Sequence, residues 1–214
     1  MNNANMKASL AELVGTFILV FIGGAAVASA QGVVTAGLAH GLALLFIVYT
    51  YGHISGAHVN PAVTLGLLVG RQIDLMKAAL YWVAQFVGAI LAALLLNVLL
   101  GGGSLGETTG SLTESSPLLA ALFEAVMTFF LVSTVYQAAV YGKAGNLAGV
   151  AIGLTLGASI LAGGTYTGAS LNPARTLGPA LVSGHLGYIL PYFVGIFAGG
   201  ALAGLAHTYL FKSS

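Results

Sequence analysis

The chain has 214 residues, of which 58% are apolar and only 5% charged, with a formal net charge of +1. Such a composition suits a polytopic membrane protein, in which apolar stretches of roughly 20 residues follow one another across a bilayer. The few basic residues stand singly and offer no stripe for nucleic acid, while the absence of cysteine excludes disulfides, thiolate metal sites and cysteine nucleophiles.

Taken in chain order, apolar runs predict six spanning helices near residues 8–29, 36–52, 76–100, 117–140, 146–163 and 187–210, broken at Gly, Ser and Thr clusters. Lys7, the first run and Ala28-Ser29-Ala30 also fit a cleavable signal peptide. Glu12 within that run has a counterpart in Glu124, far inside the chain, so the first run reads as a retained helix.

Between the second and third runs lies His53-Ile54-Ser55-Gly56-Ala57-His58-Val59-Asn60-Pro61-Ala62. It recurs in register as Thr165-Tyr166-Thr167-Gly168-Ala169-Ser170-Leu171-Asn172-Pro173-Ala174. The same offset relates Glu12 to Glu124, Thr16 to Thr128, Phe17 to Phe129, Gly41 to Gly153, Thr64 to Thr176 and Gly88 to Gly200. The chain therefore reads as one domain built of a first repeat, 1–102, a connecting loop, 103–116, and a second repeat, 117–214. Each repeat holds three spans, and an odd number of crossings forces the second copy to enter from the opposite face, as an inverted repeat.

The segments from Asn60 to about Gly70 and from Asn172 to about Val182 are apolar but only about 16 Å long as helices, half of a ~30 Å hydrocarbon core. Each is expected to dip halfway in and meet the other near the midplane. The Gly-rich approaches 52–59 and 163–171 are expected to be non-helical backbone at membrane depth. Six spans put Lys7, Arg71, Lys77, Lys143 and Lys212 on one side and Glu107 and Glu114 on the other. Both termini are therefore expected to be cytoplasmic. Arg175 alone breaks the pattern, directly after the second Asn-Pro-Ala.

Asn is a strong N-cap and Pro suits the first helical position, so each Asn-Pro reads as a helix start. With its oxygen engaged in the cap, each Asn keeps an amide donor pair beside the positive end of a helix dipole. Two such ends facing each other would turn a passing water oxygen-first, interrupt a proton-conducting chain and repel cations.

Paired Asn60-Pro61-Ala62 and Asn172-Pro173-Ala174 followed by Arg175, within an inverted repeat, resemble the aquaporin family, the major intrinsic proteins, over essentially the whole chain. The resemblance implies an all-α membrane protein of six transmembrane helices plus two re-entrant half-helices, assembled as a homotetramer with a pore in each protomer. It also implies a passive channel for water with no cofactor. Asn60 and Asn172 would stand at the pore centre, and the family's spacing places the selectivity filter at His40, Ile160, Ala169 and Arg175. Strict water channels usually carry Phe and His at the first two of these positions. The set found here resembles the tonoplast intrinsic subgroup, which implies passage of ammonia, urea or hydrogen peroxide beside water. Glycerol-conducting relatives typically have Asp after the filter Arg, where this chain has Thr176, so a glycerol facilitator is the weaker alternative.

Glu12 and Glu124 are acids within spans, a placement that by default suggests a proton relay, but their symmetry favours bracing of the two loops. His53 and His58 lack an accompanying carboxylate, and their repeat partners are Thr165 and Ser170. Loop bracing or pore lining is expected of them, and no metal. His185 and His207 read as solvent-contacting. Gly88, Ala92, Gly200 and Gly204 form small-xxx-small patterns for close helix packing. An inverted-repeat secondary transporter would need free coupling carboxylates at the midplane, and an intramembrane enzyme a nucleophile with a base. Neither set is evident, so the chain reads as no enzyme. The cell (inner) membrane is the expected location, with a vacuolar-type membrane as the alternative.

Overall fold

The computed structural model describes residues 3–211, all of whose regular elements are helical. Lys212 lies outside the described residues. Six long apolar helices carry the span-forming runs: α1 (Asn3–Ala28), α2 (Val33–Ser55), α4 (Leu75–Leu99), α6 (Pro117–Val135), α7 (Ala148–Thr167) and α9 (Ile189–Tyr209). Two short ones, α3 (Pro61–Val69) and α8 (Pro173–Ser183), begin at the two Asn-Pro pairs. At 9 and 11 residues they are about 14 and 16 Å long, too short to span. A one-turn helix, α5 (Ser111–Ser115), occupies the connecting loop, and a π-turn (Tyr136–Val140) extends α6.

The second and fifth helices run further than their sequence predicts. Gly52 and Gly163-Gly164 are helical, and the chain turns only at Gly56 (φ 94°) and Gly168 (φ 79°), which close α2 and α7 as left-handed caps. Glycine inside a spanning helix costs little when neighbouring helices approach it closely, whereas a left-handed cap demands it. The non-helical approaches are therefore confined to residues 56–60 and 168–172, shorter than the 52–59 and 163–171 expected from glycine content.

Small residues set how the helices pack. A Cβ on Gly41 of α2 would sit 2.8 Å from the Gly153 carbonyl oxygen of α7, and one on Gly153 would sit 2.5 Å from that of Gly41. These two residues are repeat partners, and a contact that reciprocates between partners is the mark of a two-fold axis passing between them. The half-helices pack crosswise. Gly66 of α3 abuts Gly200 of α9, and Gly178 of α8 abuts Ala89 of α4, so each half-helix leans on the third long helix of the other half. Gly88 lies against the Leu13 carbonyl of α1, and Gly204 against that of Gly66.

Burial is inverted relative to a water-soluble bundle. Val98, Leu118 and Leu190 stand exposed on the outside, while Glu12, Gln85 and Glu124 are fully buried. Such an apolar exterior around a polar interior is what a lipid solvent selects, and the chain is an integral multi-pass membrane protein.

Candidate channel site

The two loops that precede the half-helices are held by the two glutamates in the same way. Glu12 Oε1 accepts hydrogen bonds from Ser55 Oγ (2.6 Å) and the His58 N–H (2.9 Å), and Oε2 from the Val59 N–H (2.6 Å). Glu124 Oε1 accepts from Thr167 Oγ1 (2.7 Å) and the Ser170 N–H (2.9 Å), and Oε2 from the Leu171 N–H (2.8 Å). Each of these three loop donors has its counterpart 112 residues on. The loops need this support because Ala57, Val59, Ala169 and Leu171 all have positive φ, between 42° and 55°. For side-chain-bearing residues such geometry costs of order 1–3 kcal/mol each and persists only where the surroundings impose it. Ser55 and Thr167 add a second tie, their hydroxyls accepting from the N–H groups of Ala57 and Ala169.

At the loop ends the helix caps form as their sequence predicts. Asn60 Oδ1 accepts from the Ala62 N–H at 2.8 Å; Asn172 Oδ1 accepts from those of Ala174 (3.0 Å) and Arg175 (3.3 Å). The amides do more than expected. Asn60 Nδ2 donates to the Leu171 carbonyl at 2.8 Å, and Asn172 Nδ2 donates to the Val59 carbonyl at 2.9 Å. One N–H of each amide is thus spent on the opposite loop, leaving one rather than two for a passing molecule. The left-handed residues explain the difference, because they turn the Val59 and Leu171 carbonyls away from any helix and leave them needing a donor.

Asn60 and Asn172 both line a narrow cavity of about 40 Å³, with Leu19, Leu44, Leu131 and Leu156 among its apolar walls. This is room for a short file of water molecules. His40 belongs to this cavity and also to a second one of about 250 Å³ that it shares with Ile160, Glu107 and Thr109. At the other end, Val48, Gly56, His58, Val135 and Ala139 are common to the narrow cavity and a wide mouth of about 1300 Å³, where Arg71 and Lys77 stand. The three spaces follow one another along a single path.

His40 and Arg175 meet on that path. Arg175 Nε donates to His40 Nε2 at 3.1 Å, while His40 Nδ1 lies 2.8 Å from the Ala36 carbonyl. The carbonyl requires the proton on Nδ1, and the arginine requires a lone pair on Nε2, so the ring is the neutral Nδ1–H tautomer. Arg175 Nη2 donates to the Gly106 carbonyl, and Nη1 is buried with no partner among the described residues. That orphan donor stands on a residue that lines the narrow cavity. Ile160 lies on the wall of the adjoining cavity, whereas Ala169 is buried in the second loop and lines neither of these two spaces.

Tyr81, Trp82 and Gln85, which the sequence did not single out, complete the site together with Tyr192. Tyr81 Oη and Tyr192 Oη donate to the Ser55 and Thr167 carbonyls, each at 2.6 Å, and Trp82 Nε1 donates to the Pro61 carbonyl at 3.0 Å. Gln85 Nε2 bridges Glu12 (2.8 Å) and Thr64 (3.0 Å). A buried Gln in an apolar span was a usable signal. The Gly106 carbonyl carried none, being main chain in a loop.

The histidines divide. His58 lines the path and its Nδ1 lies 3.0 Å from Thr64 Oγ1, whereas His53 is exposed away from it. His185 is exposed as expected, but His207 is not: it is 3% exposed, stacked on Tyr136 at 5.1 Å, with its carbonyl accepting from Tyr141 Oη. The π-turn after α6 brings Tyr136 and Tyr141 over that ring, which closes it off from solvent.

The comparisons with known proteins agree with this arrangement. A family model described as major intrinsic protein matches residues 1–207. Aquaporin TIP1-2 of Zea mays is 45% identical over 96% of this chain and 86% of its own length. Aquaporin TIP2-3 of Arabidopsis thaliana is 43% identical over 99% and 90%. Among solved structures, that of the aquaglyceroporin from Plasmodium falciparum has a TM-score of 0.84 at 24% identity, covering 97% of each chain, a likeness of fold. With matched helix caps meeting along one continuous path, and a family model spanning that path from end to end, the chain belongs to the major intrinsic protein family, a family of channels rather than enzymes.

Proposed function

We propose that the chain is a passive pore for water that excludes protons and ions, with the two Asn-Pro-Ala ends as its centre. The observation that carries this reading is the reciprocal pair of bonds, Asn60 to the Leu171 carbonyl and Asn172 to the Val59 carbonyl, on the wall of one narrow cavity. With two positive helix ends at one waist, and one amide N–H of each Asn left over, a water molecule there is held oxygen-first and cannot relay a proton onward.

In this reading His40, Ile160, Ala169 and Arg175 form the selectivity filter, supported by the Arg175–His40 bond and by the shared wall of His40 and Ile160. An aliphatic side chain at position 160 makes its stretch of the wall apolar and donor-free, which suits ammonia, urea and hydrogen peroxide as further permeants. Resemblance to the TIP aquaporins supports that assignment. A glycerol facilitator is the second reading, favoured by the same apolar wall. Thr176 speaks against it, since its hydroxyl is turned inward to Ser170 and the Asn172 carbonyl. A secondary transporter would need unengaged carboxylates near the midplane, and both Glu12 and Glu124 have their oxygens occupied by loop donors. The exposed apolar flanks fit a homotetramer in the bilayer, and the basic mouth holding Arg71 and Lys77 fits a cytoplasmic face with both termini on it. The cell (inner) membrane is the proposed location, a vacuolar-type membrane the alternative.

Stopped-flow shrinkage of proteoliposomes against water, urea, glycerol, ammonia and hydrogen peroxide in parallel tests the reading. Water flux with ammonia or urea flux above lipid background is expected. Solute flux at background throughout would make this a strict water channel, and glycerol exceeding urea would favour the second reading.

A further inference from the structure

The filter arginine is held from outside the pore's repeated elements. Its Nη2 donates to the carbonyl of Gly106, in the segment between α4 and α5. That segment is wedged into the bundle: Leu105 and Thr108 are each 1% exposed, and Gly106 (φ 71°) faces the backbone of Gly24 in α1 with no space for a Cβ.

The next residue, Glu107, is tied to the far end of the helix that carries the arginine. Glu107 Oε1 lies 3.4 Å from His185 Nδ1, with the Ser183 hydroxyl beside it, and both partners sit at the end of α8. Burial pushes the Glu107 carboxyl up, but hydrogen bonds from its own backbone, Ser183 and His185, with the His185 charge, outweigh this and hold it below the usual carboxylate range. It is therefore ionised at neutral pH. Adjacent residues 106 and 107 thus clasp α8 at both ends, Arg175 near its start and Ser183–His185 at its close.

We propose that Glu107 is a positioning residue for the filter: its contact with His185, beside Ser183 at the end of α8, fixes the Gly106 carbonyl, and that carbonyl fixes the Arg175 guanidinium across the pore. The inference rests on the filter reading given above. Without that contact the segment and its carbonyl shift, Arg175 is released from its Nη2 anchor, and the opening between Arg175, His40 and Ile160 ceases to have one width. Selectivity among neutral solutes changes as a result. Because urea is uncharged, this effect does not arise from removal of a charge in the vestibule that Glu107 also lines.

The test compares the urea-to-water permeability ratio in proteoliposomes of wild type, Glu107→Ala, Glu107→Gln, His185→Ala and Arg175→Val. Glu107→Ala should raise the ratio by about threefold or more, as expected when a pore-lining donor is no longer held in a fixed position. Glu107→Gln, which keeps a side-chain oxygen facing His185, should retain part of the wild-type value, and His185→Ala should move the ratio the same way as Glu107→Ala by less. His185 is exposed and outside the pore, so its variant reads the Glu107–His185 tie even if Glu107→Ala fails to assemble. An altered ratio in Arg175→Val with wild-type values in Glu107→Ala and His185→Ala would overturn the proposal and leave the filter intact. Wild-type values in all four variants would instead remove Arg175 from the filter.

Discussion

At the scale of single residues, four side chains bear on the path: Arg175 and His40 on its wall, Ile160 in the adjoining cavity and Glu124 behind the second loop. Arg175 supplies a fixed cation whose Nη1 has no protein partner among the described residues, on a guanidinium held by His40 and Gly106. Arg175→Val removes the charge and widens the constriction, so urea and glycerol permeability should rise and proton leak should appear; unchanged values would place Arg175 outside the filter. Ile160→His adds a donor and polarity to the cavity that it shares with His40, and the ammonia-to-water or urea-to-water ratio should fall. His40→Phe in that background should lower it again, though it also strips Arg175 Nε of its acceptor. A ratio that is high in wild type but indifferent to both changes would mean that the filter lies elsewhere. Glu124 separates bracing from proton transport. Glu124→Gln turns an amide NH₂ towards one of the Ser170 or Leu171 N–H groups, and an unsatisfied buried donor costs about 1–3 kcal/mol. Thermal stability and water flux should both drop in this variant. A proton relay would instead lose proton movement alone, with stability kept.

At the scale of elements, the half-helices depend on glycine. Gly200 of α9 would place a Cβ 2.5 Å from the Ala62 carbonyl oxygen, directly behind the first Asn-Pro-Ala. Gly200→Leu should push α3 off α9, lowering both melting temperature and water flux; overpacking of this kind typically costs ~1–3 kcal/mol. Leu202→Ile, on the lipid-facing side of the same helix, should leave both unchanged. Equal losses in the two variants would mean that α9 responds to any substitution and that Gly200 has no special role. The elements were also where the sequence was most and least legible. Asn-Pro pairs and apolar runs announced all eight main helices, because capping and hydropathy are local. The ends of α2 and α7 were not announced, since glycine breaks a helix or packs one according to what lies across from it. His207 was misread for the same reason: only the π-turn after α6 brings Tyr136 and Tyr141 over it.

At the scale of the whole molecule, duplication explains both what the sequence revealed and what it concealed. An offset of 112 residues located the two loops, their glutamates and their caps before any coordinates, because each feature appears twice. What occurs once was harder to see. Gln85 has Phe197 as its counterpart, His58 has Ser170, and the connecting segment with Gly106 and Glu107 belongs to neither repeat. His58 lies on the path, Gln85 braces the first loop and the connecting segment holds Arg175, so the asymmetry of the pore comes from the parts that duplication does not repeat. Having no cysteine, the channel should also resist mercurials, which block pores by thiol attack.

In the proposed mechanism two half-helix ends form a waist that passes water and stops protons. The most direct measurement is the temperature dependence of osmotic water flow in proteoliposomes, with proton leak recorded on the same vesicles by an internal pH dye. The expected result is a low activation energy, near that of water moving through water, with proton leak at the level of empty liposomes. An activation energy equal to that of bare bilayer, or proton leak rising in step with water flow, would contradict it.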